Sequence, residues 1–208
     1  MAITFVDPAV PFICLFLFSW NCVYGDQFLQ VSLTPDAQLV SEDVSVCGMR
    51  LSLPYGRNAS VTGVDLGFVT DTTQDASALQ LAGVCNFVDQ NATGLQVAIV
   101  NSVWNQMTGC QLGLLFNTDN KFSGIGIAGG VNRFSEEGTG ILIGGCGNYG
   151  NVLNGAQIGL CNVATYSSGL QIGVVNWAKN ARGVQIGLVN YIEQGALPFM
   201  PILNLNFD

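Results

Sequence analysis

The chain has 208 residues, a net charge of −8 and no histidine, and only 10% of its residues are charged. This length suits one domain with a substantial core. Six basic residues against 14 acidic ones argue against nucleic-acid binding, because phosphate contacts need clusters of Lys and Arg. Without histidine or a CxxC pair a zinc site is not expected, and the sequence indicates no metal and no cofactor.

The N-terminal segment is typical of an export signal. Its apolar run, AVPFICLFLFSW, covers residues 9–20 and is about half of the ~20 residues that span a bilayer. Val23 and Gly25 fit the −3 and −1 positions of a cleavage site after Gly25. The segment has Asp7 and no Lys or Arg before the apolar run, so a buried N-terminal strand is the alternative. We expect export to the cell envelope (periplasm, outer membrane or cell surface) or secretion.

A repeat of 14–16 residues follows, and it sets the fold. The copies follow the pattern GxQIGL, whose first residue is Gly, or once Ala. An Asn follows near the end of each strand. The ten opening positions are Gly48, Gly63, Ala78, Gly94, Gly109, Gly124, Gly140, Gly155, Gly169 and Gly183.

Apolar and polar residues alternate within each copy. The second and fourth positions are apolar, the third is usually Gln and the fifth is always small. Period-two alternation is typical of a strand with one buried side, which we interpret as the apolar side. Ile172→Asp should then unfold several copies, whereas Gln171→Ala should not. The glutamines would form an exposed face that either docks a partner or pairs its own amides: Gln80, Gln96, Gln111, Gln157, Gln171 and Gln185.

Two all-β architectures fit the repeat. The favoured one is a parallel β-solenoid of about ten coils, and the alternative is an up-and-down antiparallel β-barrel of outer-membrane type, with the aromatic residues as girdles. A recurring Asn favours the solenoid, because parallel stacking places its copies in one column where their amides can form a structural ladder. That column would contain Asn86, Asn101, Asn117, Asn132, Asn148, Asn162, Asn176 and Asn190.

The cysteines and carboxylates give few signs of chemistry. The seven cysteines are an odd number and do not form a clear disulfide framework, although Cys146 and Cys161 occupy similar places in consecutive copies and could form a disulfide. The acidic residues are scattered, and no acidic pair recurs on one strand face. We therefore expect a protein that is not an enzyme.

The motifs resemble those of a bacterial family of secreted surface-repeat proteins. The resemblance rests on the GxQIGLxN copies, on the stretch VSVCGMRLSLPYGRNASVTGVDLGFV and on the ending LPFMPILNLNFD. It covers most of the chain after residue 26, except that Gly126 and Leu142 replace Gln in the middle copies. Because that family has no established activity, the resemblance implies export and repeat architecture but assigns no site residue.

Together these observations divide the chain into four parts: a signal peptide (1–25), a β-rich N-terminal segment (26–47), the repeat domain (48–195) and a C-terminal cap (196–208). The expected function is that of an exported, non-enzymatic surface or periplasmic scaffold for interaction or adhesion, binding an unknown protein or polysaccharide. A small outer-membrane barrel with a structural or pore role is the alternative, and membrane association is expected only in that case. A carbohydrate-active solenoid is a remote third.

Overall fold

The computed structural model describes residues 26–207, so the predicted signal peptide and its cleavage site lie outside the described residues. The described chain is all-β without a helix. Its strands are β1 (Gln27–Thr34), β2 (Ala37–Gln38), β3 (Val46–Asn58), β4 (Val61–Thr72), β5 (Ala76–Val88), β6 (Asn91–Ala128), β7 (Val131–Phe134), β8 (Glu137–Ile172), β9 (Val175–Ile192) and β10 (Phe199–Asn206).

These strands wind into a parallel β-solenoid of about 11 turns, as predicted, and not into a barrel. They form one sheet in the order β10-β9-β8-β7-β6-β5-β4-β3-β1-β2. All pairings from β1 and β3 through β9 are parallel. The alternative of an antiparallel barrel is therefore wrong.

Each repeat position stacks on the same position of the next coil. Gly48 pairs with Gly63, Gly63 with Ala78 and Ala78 with Gly94. Because the period of pairing equals the period of the sequence, every position of the repeat becomes a straight column along the solenoid. These columns determine which side chains contact each other between neighbouring coils.

The opening glycines are required by the backbone. All nine of them have φ between 120° and 151°, a backbone conformation that residues with a Cβ rarely adopt. A Cβ on Gly140 would also lie 2.0 Å from the carbonyl oxygen of Gly124 in the coil below. Ala78 opens the one copy without Gly, and it is not among the residues with positive φ.

The inside and the outside of the coil are the reverse of the prediction. The glutamines of the third position are at most 2% exposed, whereas fourth-position residues such as Leu112 and Ile127 are each 38% exposed. The interior is too narrow for facing rows of branched side chains: Gln111 Nε2 lies 2.9 Å from Asp119 Oδ1 on the opposite side of the same coil. Positions one, three and five share the inner side, and the small residues at one and five leave room for one long amide.

Apolar residues fill the rest of the interior. The main buried cluster contains Ala76, Val88, Ala92, Val103, Met107, Phe122, Phe134, Leu142 and Leu153. Phe122, Phe134 and Leu142 concentrate in the middle coils, where Gly126 and Leu142 take the places of glutamines. The solenoid therefore has a mixed interior, in which amide columns run beside an apolar column.

Added strands cover both ends of the stack. β1 pairs in parallel with β3, and the two residues of β2 pair antiparallel with β1. At the other end β10 pairs antiparallel with β9, so that the chain folds back over the last coil. Asn206 Nδ2 donates to the carbonyl oxygen of Ala181 at 2.7 Å, which fixes the buried side of β10.

Candidate interaction surface

The eight predicted asparagines form a continuous buried ladder. In the first seven, the Nδ2 group donates to the Oδ1 atom of the next asparagine over 2.8–2.9 Å. In seven of them the same Nδ2 group also donates to a backbone carbonyl of the next coil at 2.8–3.2 Å. Each buried amide therefore has partners on both sides, as a buried polar group requires.

The ladder has defined ends. At its beginning the hydroxyl of Thr70 donates to Asn86 Oδ1 at 2.7 Å. At its end Asn190 Nδ2 donates to the carbonyl oxygens of Gly187 at 2.9 Å and Met200 at 3.1 Å, so β10 completes it. The asparagine column is thus part of the scaffold.

The glutamine column is buried, so the predicted interaction face at Gln80, Gln96, Gln111, Gln157, Gln171 and Gln185 is wrong. The amides join coil to coil in two separate runs. Gln111 donates to Gln96 and Gln96 to Gln80 at 2.7–2.9 Å in the first run. The second run links Gln185, Gln171 and Gln157 at 2.7–2.8 Å.

Gly126 and Leu142 separate the two runs, because neither can accept or donate through an amide. Their effect is visible in the neighbouring side chains: Gln111 Oε1 and Gln157 Nε2 are buried without a hydrogen-bond partner. The glutamine column is therefore a structural element that is interrupted in the middle coils. Because it is buried, no partner in solvent can contact it.

A buried ion pair continues the first glutamine run toward the N-terminus. Arg50 and Asp65 occupy third positions and both side chains are fully buried. The guanidinium donates to the two carboxylate oxygens at 2.8 and 2.7 Å, and also to the Thr72 hydroxyl at 3.1 Å. Gln80 Nε2 donates to Asp65 Oδ2 at 2.9 Å, which joins the pair to the ladder.

Asp119 is a buried carboxyl that forms no ion pair with a basic residue among residues 26–207. Its residue is 4% exposed. Burial raises the pKa of Asp119 well above its ordinary value, against the opposing hydrogen bonds from Gln111 and the Val103 backbone. In the sequence Asp119 is one of the scattered acidic residues, and its burial is not predicted.

The predicted disulfide between Cys146 and Cys161 is absent, and both are free thiols. The coil that contains Cys146 has one more residue before its asparagine than the following coil. Since the ladder joins Asn148 to Asn162, Gly147 stacks on Cys161, and a Cβ on Gly147 would lie 2.2 Å from the Cys161 carbonyl oxygen. Cys146 therefore does not stack on Cys161, and it is exposed.

The apolar columns form an outer surface, here called the apolar face. It consists of the second- and fourth-position side chains of the ten coils, and no charged residue occurs in either column between residues 49 and 186. The second column is Met49, Val64, Leu79, Leu95, Cys110, Ile125, Ile141, Ala156, Leu170 and Val184, and the fourth is Leu51, Leu66, Leu81, Val97, Leu112, Ile127, Ile143, Ile158, Ile172 and Ile186.

The apolar face continues at its margins. Leu114, Leu160 and Leu188 occupy the sixth position of their coils, next to the fourth column, and are 58–69% exposed. Phe28 on β1 and Leu205 on β10 are exposed at the two ends. Contiguous apolar surfaces of this kind are uncommon on monomeric soluble proteins and are typical of interaction sites.

Charged residues concentrate on another side, here called the polar edge, which joins each asparagine strand to the next opening position. Its exposed charges are Asp75, Asp89, Lys121, Glu136, Glu137, Arg182 and Glu193. Lys121 and Glu136 form an exposed pair at 3.4 Å, a type that contributes little to stability. The solenoid is therefore amphipathic in cross-section.

Two shallow clefts lie away from the apolar face. One of about 220 Å³ is lined by residues that include Tyr166, Ser168 and Arg182. The other, of about 330 Å³, includes Arg133, Tyr149 and Asn151. Neither is lined by Asp or Glu, so neither has the paired acids that glycoside hydrolysis uses.

Residues 26–207 contain neither a candidate metal site nor a candidate transmembrane helix. No group of three or more His, Cys, Asp or Glu residues is placed to hold a metal ion in this part of the chain. None of the described residues belongs to a helix long and apolar enough to cross a membrane.

Comparison of the chain with protein families, curated proteins and solved structures found no match. The apolar face is the most prominent surface feature of the described residues.

Proposed function

We propose that this protein is an exported, non-enzymatic interaction scaffold whose binding surface is the apolar face. One observation carries the proposal: twenty outward positions in ten consecutive coils hold no charged residue, although the chain has a net charge of −8. Exposed apolar surface costs free energy, about 25 cal/mol for each Å² left in water. A partner that covers the face recovers that free energy.

The construction of the coil supports a binding role for this surface. Polar amides that could have faced water are instead buried and hydrogen-bonded, while Leu and Ile are turned outward. The interior ladders hold each coil in register, so the outward side chains form straight columns on a rigid sheet. A preformed apolar surface of this kind binds with little loss of conformational entropy.

Export remains part of the proposal, and it rests on the sequence of the first 25 residues. N-terminal sequencing of the protein isolated from the cells that make it tests this step. Cleavage after Gly25 supports export, and a mature chain that begins at Met1 or Ala2 contradicts it.

Photo-crosslinking tests the binding surface directly. Leu112 on the apolar face is replaced by a photoreactive phenylalanine analogue, and Thr118, an outward residue of the asparagine strand in the same coil, is replaced in the matched control. We expect adducts from the position of Leu112 and few from that of Thr118. Equal yields at both positions, or none, would contradict the proposal.

A further inference from the structure

We infer that the apolar face packs against the apolar face of a second copy, so that the protein is a face-to-face homodimer. This inference rests on the proposed binding surface and adds the identity of its occupant. It follows from the area, the charge and the regularity of that surface, each of which can be read from the described residues.

The area matches what a stable dimer needs. Ten coils with β1 and β10 stack at about 4.8 Å, which makes the face roughly 50 Å long. The second to sixth positions of a strand, at about 3.3 Å each, make it roughly 16 Å wide. The product is on the order of 800 Å², the area that each partner contributes to a standard specific interface.

The charge distribution permits two acidic copies to meet. A net charge of −8 on each copy opposes association in general. Most of the exposed charges of residues 48–195, however, lie on the polar edge, as Asp89, Glu136 and Glu193 illustrate. Contact through the apolar face keeps these groups in water and brings no charged column against another.

The regular columns make the face complementary to itself. Adjacent outward residues such as Leu112 and Ile127 are separated by one coil spacing, and sheets that pack face to face lie about 10 Å apart with interdigitated side chains. A twofold axis that lies in the plane of the interface brings the same patch together from both copies, which gives a closed interface. A surface of regularly spaced columns is matched by another with the same spacing.

A lipid surface is the less favoured occupant. Peripheral proteins with an apolar face usually carry Lys and Arg around it, which attract anionic headgroups. This chain has six basic residues in total, and Arg50 is fully buried in its ion pair. The acidic character of the surface opposes binding to an anionic membrane.

Sedimentation equilibrium of the exported protein, as isolated from the cells that make it, over a concentration series tests the inference. We expect a mass twice that of one chain, falling to the mass of one chain on dilution. Leu112→Lys, a charge at the centre of the face, should weaken the dimer at least about tenfold, because a buried unpaired charge is costly. Thr118→Lys is the matched control and should leave the dissociation constant within about twofold.

A second variant keeps the test decisive if Leu112→Lys fails to fold. Ile143→Lys lies two coils along the same column, and circular dichroism confirms that each variant retains its strands. A monomer at all concentrations overturns the inference, as does a dimer that Leu112→Lys and Thr118→Lys weaken equally. A monomer that binds phosphatidylcholine vesicles through the face overturns it in favour of lipid.

The crosslinking result separates failure of this inference from failure of the proposed function. Adducts at the position of Leu112 with the mass of two chains support the dimer. Adducts of another mass, together with a monomer in sedimentation, leave the interaction scaffold standing and refute the dimer. No adduct from the apolar face refutes both.

Discussion

Gln111 Nε2 donates to Asp119 Oδ1 at 2.9 Å across the interior of one coil, and the same nitrogen donates to Gln96 Oε1. Asp119 thus belongs to an amide network in a place where a charge is poorly solvated. Burial is the largest influence on this carboxyl and raises its pKa well above the ordinary value.

This burial predicts that stability falls as the pH rises. A carboxyl with a raised folded-state pKa binds more protons folded than unfolded between the two pKa values. Its favourable contribution is present below the unfolded value and is lost as the pH rises through the folded one. Asp119→Asn should remove this slope and raise the free energy of unfolding at pH 7 by about 1–3 kcal/mol.

Urea unfolding of Asp119→Asn from pH 4 to pH 8 measures the effect. Asp89→Asn removes an exposed aspartate and controls for the change in net charge. A variant that shows the same pH slope as the original protein would assign that slope to other groups.

The buried pair of Arg50 and Asp65 gives a test within the glutamine column. Arg50→Gln alone should destabilise by about 3–5 kcal/mol, because it leaves a buried carboxylate without its cation. Arg50→Gln with Asp65→Gln follows the pattern of the neighbouring coils and should recover most of this loss. Chemical denaturation of both single variants and the double variant closes the cycle, and additive losses would show that the column does not accept amides here.

The asparagine ladder predicts a difference between two asparagines that look alike in sequence. Asn132→Ala removes an acceptor for Asn117 and a donor to Asn148, and should cost about 2–4 kcal/mol. Asn151→Ala changes an exposed residue and should stay within about 0.5 kcal/mol. Thermal unfolding compares the two, and equal losses would mean that the ladder adds no stability.

The reversed coil also reverses the expectation for Gln171 and Ile172. Gln171→Ala leaves Gln157 Oε1 without its partner and leaves Gln185 Nε2 with only its 3.4 Å hydrogen bond to the Tyr191 carbonyl oxygen, and should cost about 2–3 kcal/mol. Ile172→Thr keeps a β-branched side chain at a half-exposed position and should cost less than about 1 kcal/mol. If thermal unfolding ranked the two in the opposite order, the glutamines would not be the inner column in solution.

The opening glycines predict a backbone effect. Gly140→Ala places a Cβ against the Gly124 carbonyl at a φ of 125°, and should cost at least about 2 kcal/mol. Gly83→Ala is the matched control, because its Cβ would approach only the ring of Phe68, at 3.3 Å. Similar unfolding midpoints for the two variants would mean that the coil relaxes around the added methyl group.

The sequence predicted the period, the parallel stacking and the asparagine ladder, because all three follow from the spacing of repeated residues. It could not decide which side faces inward, since alternation divides a strand into two sides and does not label them. The small residues that share parity with Gln111 were the available signal. The hydrophobicity of Leu112 predicts that its side chain faces inward. The small volume of the interior overrides this preference, and Leu112 faces outward.

The error at Cys146 had a signal as well. Counting from Gly140 to Asn148 gives one residue more than counting from Gly155 to Asn162, so the cysteines fall in different places once the asparagines are aligned. Asp119 could not be found this way, because nothing local distinguishes it from the exposed acids. Its burial depends on the coil closing around it.

The stacking of Gly183 on Gly169 repeats that of Gly169 on Gly155. Since neighbouring coils meet through equivalent contacts, a 14-residue unit inserted in register extends the molecule by about 4.8 Å and leaves its cross-section unchanged. The number of repeats therefore acts as a ruler. Gain or loss of one repeat in the gene would lengthen or shorten the outer surface in fixed increments, without redesign of the coil.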